Sequence, residues 1–245
     1  MSNKNYLKIK KEISEKKEIR LNDLVKDLDI SLMTVNRVIQ QLESEGILVR
    51  TRGGAMLIEE IPSDVEVPFT YKINLERDLK QVLVEKAVEI IGNAKHLYLD
   101  DSSEAYLILR QLSKDKIIYT SSVETAKEAA DLNFSKVSII GGSLNNLSKG
   151  IMHTFDTEII KRQTYDFSII GARGYDDIGN LYDLSHEKIE VKEIFMNSSK
   201  KVLALVDSTK HDKKLFYKFT PTNLILITNK NSKVKSSSKI ELYKI

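Results

Sequence analysis

Hydrophobic positions along this chain follow two rhythms. In the first fifty residues they recur at helical spacing. Tyr6, Leu7, Ile9 and Ile13 mark an amphipathic helix ending near Lys17. Leu21, Leu24, Val25 and Leu28 mark a second, opened by Asn22 and Asp23. Val35, Val38, Ile39 and Leu42 mark a third, running to about Ser44, with Ser31 as its N-cap and Gly46 at its end. "ILVRTR", Gly53-Gly54 and "AMLI" then read as a β-hairpin. Beyond Leu75 the rhythm changes. A helix is predicted over about Leu75 to Ile91, with Leu79, Val82, Leu83, Lys86, Ala87 and Ile90 on its stripes. The apolar runs "HLYLD", "IIYTS", "KVSII", "DFSIIGA", "VLALVD" and "LILIT" follow as short strands. Helices are expected between several of them: Glu104 to Leu112, Val123 to Leu132, Met152 to Arg162 and Leu184 to Ser198. Continuous apolar strands alternating with helices predict a mostly parallel sheet covered on both faces.

The fold class is therefore α/β: an N-terminal winged helix-turn-helix over 1–60, a linker over 61–74 that holds Pro62 and Pro68, and an α/β domain over 75–245. Composition adds exclusions. There is no cysteine, so disulfides, thiolate catalysis and cysteine-bound zinc are out. His96, His153, His186 and His211 lack metal spacing, and no metal or cofactor is expected. No run of eighteen apolar residues is present and the N-terminus lacks a signal-like apolar core, so no membrane partner and a cytoplasmic location are expected.

A net charge of +3 says little, but its distribution says more. From Ile30 to Ile58 the acids are Glu43 and Glu45, against Arg37, Arg50 and Arg52. Thr34, Asn36, Arg37, Gln40 and Gln41 lie off the buried stripe of the third helix. Arginine can bond guanine bidentately, and asparagine or glutamine can bond adenine. Ser31, Thr34, Asn36, Arg37 and Gln40 are thus candidate DNA contacts, with Arg50 and Arg52 tipping a wing that reaches the phosphate backbone or minor groove. The partner would be double-stranded operator DNA, read by a dimer or tetramer.

In a parallel sheet, ligands bind beyond the carboxyl ends of the strands. Those ends carry Asp100 and Asp101, Thr120 to Ser122, Gly141 to Ser143, Gly171 to Gly174, and Asp207 to Lys210. Small, polar or charged residues at five strand ends point to one binding rim.

"SLMTVNRVIQQLESEGILVRTRGGA" resembles the N-terminus of the DeoR family of bacterial transcription regulators. The family pattern has Ser-x-x-Thr-Ile-Arg-Arg-Asp-Leu, Leu-Glu-x-x-Gly and Arg-x-Gly-Gly-Ala. This chain keeps Ser31, Thr34, Arg37, Leu42, Glu43, Gly46, Arg50, Gly53, Gly54 and Ala55, and departs at Asn36 and Val38. The departure at Asn36 implies a changed operator sequence. The resemblance continues through "YTSSVETA", "IIGGSLNNLSKG", "DFSIIGARGYDDIGNL" and "EVKEIFMNSSKKVLALVDSTK". It implies a sensor domain like ribose-5-phosphate isomerase and a small phosphorylated sugar as effector. The implied effector contacts are Asp100, Ser102, Ser103, Thr120, Ser121, Gly141, Gly142, Gly171, Arg173, Gly174, Glu190, Lys192, Asp207 and Lys210. The family's Gly-Thr-Thr loop reads Ser102-Ser103-Glu104 here. The Glu104 carboxylate would stand where an anion docks, so either Glu104 turns away, as a first-turn helix residue, or the effector's charge is different here. Lys210, Arg173 and Lys192 are the candidate counter-charges.

The leading expectation is a repressor of a carbohydrate operon with no catalytic residues. Two other readings stand beside it: an isomerase-like enzyme using Asp100, Asp101, Glu187, Asp207 and Lys210, and a DNA-binding regulator with a degenerate sensor.

Overall fold

In the computed structural model, which describes residues 3–51, 53–58, 65–235 and 240–245, the chain forms two compact units, Met1–Leu75 and Glu76–Ile245. The first unit contains α1 (Asn3–Lys16), β1 (Glu18–Arg20), α2 (Leu21–Leu28), α3 (Leu32–Ser44), β2 (Leu48–Thr51) and β3 (Gly54–Leu57). The three strands form one sheet in the order β1-β3-β2. Its core is the set that helical spacing marked: Ile9, Ile13, Leu24, Val35, Val38, Ile39 and Leu42, joined by Ile19, Leu48 and Ala55 from the strands. Leu7 is not part of it and stands exposed. Strand β1, which the sequence pattern does not reveal, supplies Ile19 and fixes the wing. A Cβ at Gly54 would lie 2.2 Å from the Ile19 carbonyl oxygen, so only glycine lets β3 pass β1 this closely.

Part of the expected linker is helical. Residues 61–64 lie outside the described residues, but α4 (Phe69–Asn74) forms on Pro68 as its N-cap. Tyr71 and Val67 pack with Ile58 against Val49, so α4 belongs to the first unit's packing.

The second unit opens with α5 (Arg77–Ile91) and is built on a seven-stranded sheet. Its strands are β4 (His96–Leu99), β5 (Ile117–Thr120), β6 (Lys136–Ile139), β9 (Tyr165–Ile170), β12 (Ser199–Leu205), β14 (Leu224–Thr228) and β15 (Ile240–Lys244), all paired in parallel. Strand order is β15-β14-β12-β9-β4-β5-β6. The chain starts at β4, runs outward to β6, then returns to β9 on the other side of β4. The crevice between the ends of β4 and β9 is thus the topological switch point. Helices α6 (Ser103–Leu107), α7 (Val123–Asp131) and α9 (His186–Asn197) follow β4, β5 and the small strands after β9. Alternate residues Val202 and Ala204 of β12 share a core with Phe195 and Val191 of α9. Leu203 and Leu205, on the other face, are equally buried, and α5 packs against the same strand. The sheet is covered on both faces.

Several local expectations change. Helix α5 buries Lys80, Leu83, Val84, Ala87 and Ile91, a stripe that leaves Val82 exposed. The helix expected over Met152 to Arg162 is split: β7 (Gly142–Leu144) and β8 (Ile151–Thr154) form a hairpin, and only α8 (Thr157–Lys161) is helical. A second small sheet, β10 (Gly174–Tyr175), β11 (Leu181–Asp183) and β13 (Tyr217–Phe219), follows the rim loops. These strands are two or three residues long, too short for a periodic signal.

Candidate functional site

Helix α3 presents one face outward. Ser31 caps it by accepting from the Thr34 backbone N–H at 3.3 Å. Its buried stripe Val35, Val38, Ile39 and Leu42 fixes the roll of the helix, so Met33, Arg37 and Gln40, spaced four and three apart, share the exposed side. Met33 is 83% exposed, and the sequence reading did not single it out. An apolar side chain this open on a polar face is the signal that could have found it.

Arg50 is not the free wing-tip arginine the sequence suggested. It sits within β2, paired with Ala55. Its Nη1 donates to Asn36 Oδ1 at 3.3 Å, its Nη2 to the Asn36 carbonyl oxygen at 2.9 Å, and its Nε lies 3.3 Å from Glu43 Oε2. Arg50 and Asn36 therefore form one unit tying the wing to α3. Asn36 in turn donates to the Leu32 carbonyl oxygen at 3.1 Å. Arg52 lies outside the described residues.

The second unit concentrates buried charge at the carboxyl ends of β4, β9 and β12. Asp100 directly follows β4 and is fully buried; its Oδ1 accepts from Ser102 N–H at 2.9 Å and its Oδ2 from Gly171 N–H at 3.0 Å. Lys192 of α9 lies 3.2 Å from Asp100, and donates to Asp183 at 2.8 Å and to the Gly171 carbonyl oxygen at 2.9 Å. One turn earlier on α9, Lys188 reaches Asp101 at 2.9 Å. Burial works against the Lys192 charge, but Asp183, Asp100 and Asp101 outweigh it and hold the ammonium well above the ordinary lysine value. The Asp183 carboxyl is pushed up by burial but pulled below its usual range by Lys192 and Lys188. Burial wins at Asp100, whose carboxyl is raised despite Lys192. Gly171 closes this corner: a Cβ there would lie 2.5 Å from the Ser102 Cβ.

A second cluster adjoins it. Glu104 does not turn to solvent. Its Oε1 accepts from Lys210 Nζ at 3.1 Å and its Oε2 from the Ser103 hydroxyl at 2.8 Å. Burial pushes this carboxyl up, but Lys210, then Lys80 and the Ser103 hydroxyl, hold it down at about 2. Lys210 also lies 3.3 Å from Asp207, and Glu104 and Asp207 raise its ammonium against the cost of burial and the like charge of Arg173. Lys210 and Lys192 are therefore not bare counter-charges awaiting an anion.

The remaining expected contacts divide. Ser102, Ser103, Arg173 and Gly171 belong to this corner. Gly174 is packed against the backbone of Lys213. Thr120 accepts from Ser122 N–H at 3.0 Å and Ser121 bonds the Tyr98 hydroxyl at 2.8 Å, both buried. Ile151 N–H and the Lys149 carbonyl oxygen bond Ser121 and Val123, so the segment after β7 covers the end of β5. Gly141 and Gly142 follow the edge strand β6, and Gly141 N–H donates to Asp156 at 2.7 Å. Glu190 is not brought to the rim. It faces His186 at 3.3 Å and His153 at 3.6 Å, in an open cleft of about 470 Å³. Lys188, Asp101, Asp183, Lys80 and Glu104 are charged residues of the corner that the expected contact set lacked. Lysines at an i, i+4 spacing on a helix otherwise rich in Ile, Val and Phe were the available signal for Lys188.

Residues 7–61 match the DeoR-like helix-turn-helix domain, and residues 76–230 match the DeoR C terminal sensor domain. An uncharacterized HTH-type transcriptional regulator of Haemophilus influenzae is 28% identical over 203 residues, 82% of this chain and 78% of the relative. The glycerol-3-phosphate regulon repressor of Escherichia coli is 23% identical over 194 residues, 78% of this chain and 76% of the relative. The lactose phosphotransferase system repressor of Staphylococcus epidermidis is 22% identical over 240 residues, 96% of this chain and 94% of the relative. Among solved structures, a ribose 5-phosphate isomerase A from Methanocaldococcus jannaschii aligns with TM-score 0.42 and 18% identity, covering 57% of this chain and 56% of that chain.

Proposed function

The chain belongs to the DeoR family of transcription regulators, and from that premise we propose that it represses a carbohydrate operon under the control of a small phosphorylated sugar. The supporting observation is the division of labour between the two units. One exposes Arg37, Gln40 and Met33 along a helix fixed by its own core. The other gathers Lys192, Lys188, Lys210 and Lys80 at the switch point of a parallel sheet.

In this reading, Arg37 and Gln40 read base edges, Met33 contacts a thymine methyl, and the Asn36–Arg50 unit sets the wing against α3. The effector enters the corner formed by Ser102, Glu104, Gly171, Arg173, Asp207 and Lys210. Asp100, Asp183, Lys188 and Lys192 hold the floor beneath it. Relatives named as repressors of the glycerol-3-phosphate regulon, the aga operon and the lactose phosphotransferase system favour repression and a carbohydrate target. A two-fold dimer reads two half-sites, since one recognition helix covers too few base pairs for a unique site. The isomerase reading has less support: of its candidate acids and bases, Asp100, Asp101 and Asp207 are each engaged by a lysine, and Glu187 accepts from the Ser185 hydroxyl, so none stands apart as a carboxylate poised for proton abstraction.

The test is operator binding by the full chain against a panel of sugar phosphates and their unphosphorylated sugars. Release of operator by a phosphorylated member alone is expected, with a coupling of about 1–3 kcal/mol, and the DNA must shift sugar affinity by the same factor. A panel that neither changes operator affinity nor stabilises the protein overturns the effector reading and leaves a DNA-binding regulator with a degenerate sensor.

A further inference from the structure

We infer that Glu104 is a built-in competitor for the effector's anionic group: its carboxylate occupies the position beside Lys210 and Lys80 that an incoming phosphate would take, so the phosphate binds only when Glu104 swings away. This rests on the sensor reading above and specifies how that site is tuned.

The geometry starts from the crevice. Glu104 lies in the first turn after β4 and Gly171 directly follows β9, so the two flank the switch point. The Glu104 carboxylate lies against Gly171, where an added Cβ would sit 3.7 Å from Oε2. The carboxylate is thus inside the crevice. It is also more buried than its partner: the Glu104 side chain is 2% exposed and that of Lys210 is 17% exposed. Solvent, and a ligand, reach the lysine from outside while the carboxylate holds it from within.

Charge then limits what can be added. Glu104 and Asp207 balance Lys210 and Lys80, and Arg173 adds one positive charge near Lys210. A phosphate dianion placed here would bring more negative charge than Arg173 offsets into a poorly solvated corner, where like charges repel far more strongly than in water. Displacing one carboxylate removes most of that penalty. Asp207 is the wrong one to move: its Oδ1 accepts from the Thr209 backbone N–H at 3.0 Å and caps the turn that carries Lys210. The Glu104 carboxylate is held by the Ser103 hydroxyl, the Lys210 ammonium and its own backbone N–H, and unlike Asp207 it caps no turn. Glu104 is therefore the mobile carboxylate. It lowers affinity for anionic ligands selectively and leaves the affinity for a neutral sugar much less affected, raising the concentration at which a phosphorylated effector acts.

The experiment uses the full chain and inorganic phosphate at pH 8 against chloride at matched ionic strength, read by calorimetric titration and thermal shift. E104Q and E104T should bind phosphate roughly tenfold or more tighter than the unaltered protein, and E104Q/K210M should lose that gain. E104T, which removes the carboxylate with a smaller side chain and keeps Lys210, carries the test if E104Q folds poorly. Phosphate affinities equal within twofold in the unaltered protein and both Glu104 variants, or no phosphate binding by any of them, would overturn the inference. Tight phosphate binding by the unaltered protein would do the same. The two readings fail separately. Operator release by a sugar phosphate at the same concentration from unaltered and E104Q proteins keeps the sensor and removes the competitor. Phosphate binding gained by E104Q, with no sugar phosphate affecting the operator, keeps the competitor and removes the sensor.

Discussion

Replacing Lys192 by methionine tests whether the buried charges at the β4–β9 crevice are held as one network. Methionine preserves most of the side-chain length and removes the ammonium. Asp100 and Asp183, within 3.2 and 2.8 Å of that ammonium, then remain in a site where their side chains are 0% and 6% exposed. Breaking a buried pair by removing one partner costs about 3–5 kcal/mol, because the remaining charge is left without compensation. A sensor unit spanning 76–245 loses roughly 2–4 °C of Tm per kcal/mol, so its unfolding should move down by roughly 6–20 °C. The pH dependence carries the sign of the argument. In the unaltered protein the folded Asp183 pKa lies below its usual value, so its stabilising contribution persists at mildly acid pH and is lost as pH falls through that folded value. Without Lys192 both carboxyls shift upward, and protonation neutralises them. The deficit of K192M should therefore be largest near pH 7 and shrink toward pH 5. Adding D183N to K192M should recover part of the loss. The assay is calorimetry and circular dichroism across pH on the full chain. A deficit under about 1 kcal/mol at pH 7, or one that does not change with pH, would refute a charge network and leave only a packing role for Lys192.

Four further outcomes concern the first unit and assembly. R37A should weaken specific operator binding by about 1–3 kcal/mol and relax preference at one base pair, as loss of a bidentate base contact does; equal loss on random DNA, measured by fluorescence anisotropy, would make Arg37 a phosphate contact. R50A and N36A should each lower operator affinity but fail to add in the double variant, since their side chains form one unit; full additivity would separate them. Thermal stability should change by no more than about 1 kcal/mol in R50A, because its pairing with Glu43 is partly exposed to solvent. Sedimentation should give a dimer or larger at micromolar concentration; a monomer both with and without operator DNA would contradict two-fold reading of the site.

Much of the first unit was legible in the chain alone. Val35, Val38, Ile39 and Leu42 recur at helical spacing because one face must be buried, Ser31 caps because its hydroxyl satisfies an orphan N–H, and Gly46 stops the helix with φ +72°. The same local logic marked six of the sheet's seven strands, whose apolar runs need cover, and missed the edge strand β15, where Glu241 and Lys244 interrupt the apolar run. What periodicity could not supply was anything set by pairing between distant segments. Strand β1, the β7–β8 hairpin and the small sheet after β9 are too short to carry a rhythm and exist because partners far along the chain complete their hydrogen bonds. The site divides the same way. Residue types and strand ends pointed to Asp100, Gly171, Asp207 and Lys210, and the family resemblance added Lys192. The sequence left open whether Glu104 turned outward, placed Glu190 with the effector, and treated Lys210 and Arg50 as free cations. Only the fold decided these: Glu190 and Lys192, two residues apart, fall on different sides of α9, while Glu104 and Lys210, 106 residues apart, meet across the crevice. Local sequence sets which residues face inward. Which buried charge meets which is decided by the tertiary structure, because a desolvated charge is tolerated only where the fold brings its partner within a few ångströms.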